Sequence, residues 1–128
     1  MRNRMNVLLG ALLALSACGE GQPSPADVIG TYVAEIPNGV AQARTVTLSL
    51  AEGNAADMAV AYDSGGTSYT ETGTWSLGQR GDVRVVLARD GFGPVSSDVT
   101  FRWAKGTLTA IAFDTVQWGS LGFALKRR

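Results

Sequence analysis

One thiol and no histidine bound the chemistry open to these 128 residues. Copper(I) and other soft metals take thiolate and thioether ligands, and copper(II) takes imidazole. Cys18 is the sole cysteine, and Met58 is the sole methionine past Met5. Met58 lies in an alternating apolar run, where packing is its expected role, so no metal site is expected. Without imidazole there is no Ser-His or Cys-His pair and no histidine acid–base step. A Ser-Lys dyad would need Lys105, in the turn Lys105-Gly106, or Lys126, near the C-terminus; both read as solvated charges. Asp63, Glu71 and Asp114 could supply paired carboxylates, but their spacing brings no two onto one face. Gly65-Gly66 lacks the glycine repeat and following helix of a phosphate loop. The expectation is a protein that is not an enzyme and carries no cofactor.

The surroundings of Cys18 give its thiol a different use. Arg2 and Arg4 form a positive start, Val7 to Leu15 is a short apolar stretch, and the small residues Ser16 and Ala17 precede the cysteine. This is the layout of an export signal, shorter than the roughly 20 residues of a membrane-spanning helix. A cysteine at the cleavage point resembles a bacterial lipoprotein lipobox, which implies removal of residues 1–17 and attachment of diacylglyceryl to Cys18. The alternative is a buried free thiol ending an uncleaved helix. With Cys18 lipidated, no disulfide is available even in an oxidising compartment, and a hydrophobic core must supply the stability. Without Arg2 and Arg4, nine basic residues face eleven acidic ones, and only Lys126-Arg127-Arg128 forms a basic run. Nucleic acid is therefore not an expected partner, because phosphate recognition needs many clustered cations. The membrane is the partner implied by the lipid.

The elements that position these residues read as strands. Residues 18–26 contain Gly19, Gly21, Pro23 and Pro25 and read as a tether, with Ser24-Pro25 able to cap one helical turn ended by Gly30. Residues 27–128 read as one domain. Period-two alternation marks strands at Tyr32–Ile36, Val46–Leu50, Met58–Tyr62, Tyr69–Leu77, Val83–Leu87, Val99–Trp103, Thr107–Phe113 and Leu121–Leu125. Asp63-Ser64-Gly65-Gly66, Arg89-Asp90-Gly91 and Lys105-Gly106 supply turns between them. Eight short strands with short links, each with one apolar face, predict an all-β, antiparallel, eight-stranded meander barrel. A two-sheet sandwich is the alternative. Strict alternation in the fourth strand would send Glu71 inward with Trp75. A bulge at Gly73 would reset the register and is favoured, because an unpaired buried carboxylate costs several kcal/mol.

Gly30-Thr31-Tyr32, Ile36-Pro37, Thr45–Leu50, Tyr69-Thr70-Glu71-Thr72-Gly73-Thr74-Trp75 and Leu125-Lys126-Arg127 together resemble the N-terminal domain of NlpE-type copper-homeostasis envelope lipoproteins. The resemblance implies a lipocalin-like barrel, outer-membrane anchoring facing the periplasm or cell surface, contacts with envelope proteins and a part in envelope-stress sensing. Gly19 agrees with the outer membrane, since Asp at that position is the usual inner-membrane retention signal in enteric bacteria. The family's Cys-x-x-Cys positions are held here by Asn38 and Ala41, so copper binding does not carry over.

Two aromatics on expected loops are candidate contacts for a partner or ligand: Phe92 in Gly91-Phe92-Gly93-Pro94, and Trp118 in Val116-Gln117-Trp118-Gly119. Alternatively both fold back to plug the barrel. Trp75, Phe101, Trp103, Phe113 and Phe123 are large enough to fill so small a barrel. That favours protein contacts over a carrier of a small apolar ligand. A purely structural or inhibitory surface lipoprotein is a third reading.

Overall fold

Alternation of apolar and polar residues closes on itself in the computed structural model, which describes residues 22–37, 43–63, 65, 68–91 and 93–128. Eight antiparallel strands form a closed barrel in simple meander order: β1 Gly30–Ile36, β2 Arg44–Leu50, β3 Ala55–Tyr62, β4 Tyr69–Leu77, β5 Asp82–Ala88, β6 Ser97–Ala104, β7 Thr107–Ala112 and β8 Ala124–Arg127. Closure leaves no exposed sheet edge and is the barrel of the two expected architectures. Two short helices accompany it, α1 Pro25–Val28 before β1 and α2 Thr115–Trp118 between β7 and β8.

In α1, Pro25 stands at the first helical position, and the Ser24 amide donates to the Asp27 carboxylate at 2.8 Å. That hydrogen bond holds the Asp27 carboxyl below the usual carboxylate range. The turn then ends and Gly30 opens β1, as the Ser-Pro start predicts. Lys105 and Gly106, at φ 50° and 78°, make the tight β6–β7 turn.

The core is the inward face of the alternation. Val46, Leu48, Leu50, Val60, Val83, Val85 and Leu108 are each at most 2 % exposed. Met58 is buried among them, in the packing role expected of it. Trp75 and Phe101 are buried, while Trp103, Phe113 and Phe123 are half-buried against the same cluster. Among the described residues, the cavity inside the barrel lined by Leu48, Met58, Phe101, Trp118 and Phe123 holds about 10 Å³. Ligand pockets run from roughly 300 Å³ upward, so the packed interior counts against the carrier reading.

Three expectations need correction. No bulge occurs at Gly73. The register runs one-for-one through it on both sides, Ala56↔Gly73 and Gly73↔Leu87, and Glu71 is buried at 1 % exposure. The irregularity falls instead between Thr100 and Phe101, where β6 meets β7. The eighth strand begins later than Leu121. Gly122, at φ 78°, turns the chain just before it, leaving Leu121 79 % exposed. Finally, α2 occupies a stretch expected to hold no helix. The Asp114 carboxylate accepts from the Val116 amide at 2.9 Å, and Gly119 at φ 86° ends the turn.

Candidate functional site

The meander gives the barrel two unlike ends. At one, the chain enters through α1 and leaves through β8, beside the β2–β3, β4–β5 and β6–β7 turns. At the other lie the longer connections, including α2. Cys18 and the segment before it lie outside the described residues, as do Asn38, Ala41 and Phe92.

At the termini end, Val28 of α1 is fully buried and stoppers the barrel. The Tyr32 hydroxyl donates to the Val28 carbonyl and accepts from Trp103 Nε1 at 3.1 Å and Arg127 Nη2 at 2.8 Å. Arg127 also reaches the carbonyls of Asp27 and Ile29. The last strand therefore latches the helix that precedes the first. Pro23 lies against Gly81: a Cβ on that glycine would stand 3.1 Å from Pro23 Cδ. Pro23 of the expected tether is thus packed on the barrel, while Ser24, Pro25 and Ala26 are exposed.

At the loop end, three polar residues share the inward face with the core. Arg44, Glu71 and Ser97 are 4 %, 1 % and 3 % exposed. The Ser96 and Ser97 hydroxyls both donate to Glu71 Oε1, Ser97 at 2.8 Å, and Gln117 Nε2 donates to Ser97 Oγ at 3.2 Å. The carboxylate is buried with partners, which removes the penalty that favoured a bulge. Arg44 Nη2 donates to the Gln117 carbonyl, and its guanidinium lies 4.8 Å from the Trp118 ring and 5.9 Å from Tyr62. Beside this cluster, Arg89 stands 3.9 Å over the Tyr69 ring. Burial, with Tyr62 alongside, pushes the Tyr69 hydroxyl up to about 12. The network pins α2 across the barrel mouth.

Trp118 is consequently not an exposed contact. It is 1 % exposed and stacks on Phe123 at 4.3 Å between ring centroids, because α2 turns its indole down into the barrel. The same turn points Val116 outward at 94 % exposure, and Leu121 follows at 79 %. Sequence reasoning singled out the aromatic and passed over the two aliphatics. The signal was present in Asp114 and Gly119, a cap and a stop that bracket the four residues of a single helical turn. It was present too for the polar cluster, since Arg44 shares the parity of Val46 and Leu48, and Ser97 that of Val99 and Phe101. Lys105, Gly106, Lys126 and Arg127 line a shallow concavity of about 520 Å³ at the termini end, with Trp103 and Thr107. Among the described residues, no three Cys, Asp or Glu side chains converge as metal ligands.

No family model matches the chain, and no curated protein matches it. Among solved structures it is similar to a protein described as a "putative lipoprotein from Shewanella oneidensis", whose crystal structure was determined at 1.42 Å resolution. The TM-score is 0.54 and the identity 19%, over 80% of this chain and 90% of that one, so the two share the fold.

Proposed function

We propose that this chain is a lipoprotein of the bacterial envelope, held to a membrane through lipid on Cys18, without catalytic activity, and acting through protein contacts at the loop end of its barrel. The observation that carries this reading is the polarity of the molecule. The chain enters at one barrel end, where a lipid on Cys18 would hold it. The exposed aliphatics Val116 and Leu121 stand in the β7–β8 connection at the opposite end, where an anchored barrel meets other proteins. The export signal and the cysteine at its cleavage point support the anchor, as does a similar fold in a protein described as a lipoprotein. The filled interior favours surface contacts over carriage of a small molecule.

The specific role we favour is that of an NlpE-like sensor of envelope stress at the outer membrane, facing the periplasm or cell surface. It works without the family's copper chemistry, for which the chain lacks Cys-x-x-Cys and histidine. Deleting the gene, with stress reporters read in the presence and absence of copper, tests that role. Complementation with wild type should restore the response, and Cys18→Ser should not. An unchanged reporter in every condition defeats the sensor. Cys18→Ser protein that still fractionates with membranes defeats the anchor.

A further inference from the structure

We infer that the termini end of the barrel is a docking face for anionic lipid headgroups, so that the anchored domain is seated on the bilayer with its loop end outward. The inference rests on the lipid anchor proposed above and adds to it an orientation and a lipid preference.

Charge is divided unevenly between the barrel ends. Arg80, Arg102, Lys105, Lys126, Arg127 and Arg128 lie in the turns and strand ends of the termini end. Their acidic neighbours there are Asp27, Glu52, Asp57 and Asp82. Asp82 pairs with Arg102 at 3.3 Å, which cancels one charge of each sign and leaves five basic residues against three acidic ones. Toward the loop end the balance reverses. Glu35, Asp63, Glu71, Asp90, Asp98 and Asp114 outnumber Arg44 and Arg89, with Arg84 midway along β5 and paired to Asp98. A nearly neutral protein is thus an electric dipole along its barrel axis, positive where the chain enters.

The basic residues are also placed to meet a flat anionic surface. Lys105 is exposed at the tip of the β6–β7 turn, Lys126 and Arg127 are exposed on β8, and Trp103 lines the same concavity with its indole half-buried. An amphipathic indole beside cations is the composition of a membrane–water interface.

The short leash completes the argument. Because Pro23 packs on Gly81, only the chain between Cys18 and Pro23 is left to span the distance from lipid to barrel. Five residues extended reach about 17 Å at most. Exposed charges feel a charged surface within a Debye length of about 8 Å at physiological salt. A barrel on so short a leash spends its time within one or two Debye lengths of the headgroups, and its dipole turns the basic end toward them.

Lys105 and Lys126 are the only lysines in the sequence, so an amine-reactive reagent reads this face and little else. The full protein, purified with its lipid, would be reconstituted in vesicles of phosphatidylcholine alone or with about one third phosphatidylglycerol. It would then be acylated briefly, and each lysine peptide quantified by mass spectrometry. Docking predicts several-fold slower acylation of both lysines in the anionic vesicles, reversed by 1 M sodium chloride. Equal rates in the two vesicles overturn the docking face while leaving the anchor intact, provided the protein floats with both. Protein that floats with neither has no anchor, and equal lysine rates with and without anionic vesicles in that material overturn the docking face too. Inorganic phosphate added to phosphatidylcholine vesicles is the final arm. Equal protection there assigns the face to a soluble anion and overturns a lipid surface.

Discussion

Glu71 carries the sharpest disagreement between expectation and structure, and its resolution makes a prediction. A buried carboxylate is costly when unpaired, but here the Ser96 and Ser97 hydroxyls both donate to one oxygen. Glu71→Ala removes the acceptor and leaves two hydroxyls and a void, and should lower stability by about 2–4 kcal/mol. Glu71→Gln keeps shape and acceptor, weakens charge-assisted bonds to ordinary ones, and should cost about 1–2 kcal/mol. Chemical denaturation of the two variants checks this. Equal losses would mean that loss of the carboxylate alone matters at the site and that the filled volume contributes nothing. Tyr69 supplies a pH dependence. Its hydroxyl is raised from 10.0 to about 12 by burial first and by Tyr62 second. The neutral form is therefore favoured on folding. Its contribution is fully present below pH 10 and is lost as pH rises toward 12. Tyr69→Phe, which cannot ionise, should narrow the fall in melting temperature between pH 9 and pH 11 relative to wild type. An identical fall in both proteins would place the alkaline loss elsewhere. Simple alternation announces Ser97 but neither Ser96, which bonds Glu71 from outside β6, nor Gln117, which bonds Ser97 from a helix far along the chain.

Strands were legible where two-residue periodicity met a turn residue, as in β2, β3 and β5. Their boundaries fall within three residues of the alternating runs. The failures have separate physical causes. In β4 the glycine invites a bulge, yet Gly73 serves close packing: an added Cβ would stand 2.0 Å from the Val86 carbonyl oxygen. Gly73→Ala must displace backbone, and should cost about 1–3 kcal/mol by thermal denaturation, with unchanged stability counting against the close approach. In the β7–β8 connection, hydrophobic residues were assigned by type, although a four-residue helix sorts them by direction. Trp118 goes down onto Phe123, and Val116 goes out. Trp118→Ala should therefore destabilise by about 3–5 kcal/mol. Val116→Asp with Leu121→Asp should change stability by only about 0.5 kcal/mol while abolishing recovery of a crosslinked envelope partner. If the double variant retains its partner, the loop end is not the contact surface. No periodicity in one strand reveals that Arg44, Glu71 and Ser97 converge. That follows from barrel closure, which brings the same parity of three separate strands to one mouth.

Closure also sets where the whole molecule is weakest. β1 pairs with β2 through seven residues, from Gly30↔Leu50 to Ile36↔Arg44, but with β8 only through Tyr32↔Arg127 and Val33↔Lys126. β7 and β8 pair through three. A barrel opens first where the ladder is shortest, since local opening exposes least there. Side chains compensate at this seam. Arg127 joins β8 to the carbonyls of Asp27 and Ile29 and to the Tyr32 hydroxyl, and the Arg128 amide donates to the Thr31 carbonyl at 2.9 Å. The same residue thus closes the barrel, holds α1 as its stopper and contributes to the basic end. Native-state hydrogen exchange should find the fastest strand amides in β8 and in the face of β1 toward it, and the slowest in β2 and β3. Arg127→Ala should cost about 1–2 kcal/mol. It should accelerate exchange in α1, β1 and β8 while leaving β2 and β3 nearly unchanged under conditions of local opening. Uniform acceleration in every strand would mean that the barrel opens only as one cooperative unit, and that Arg127 is no seam latch.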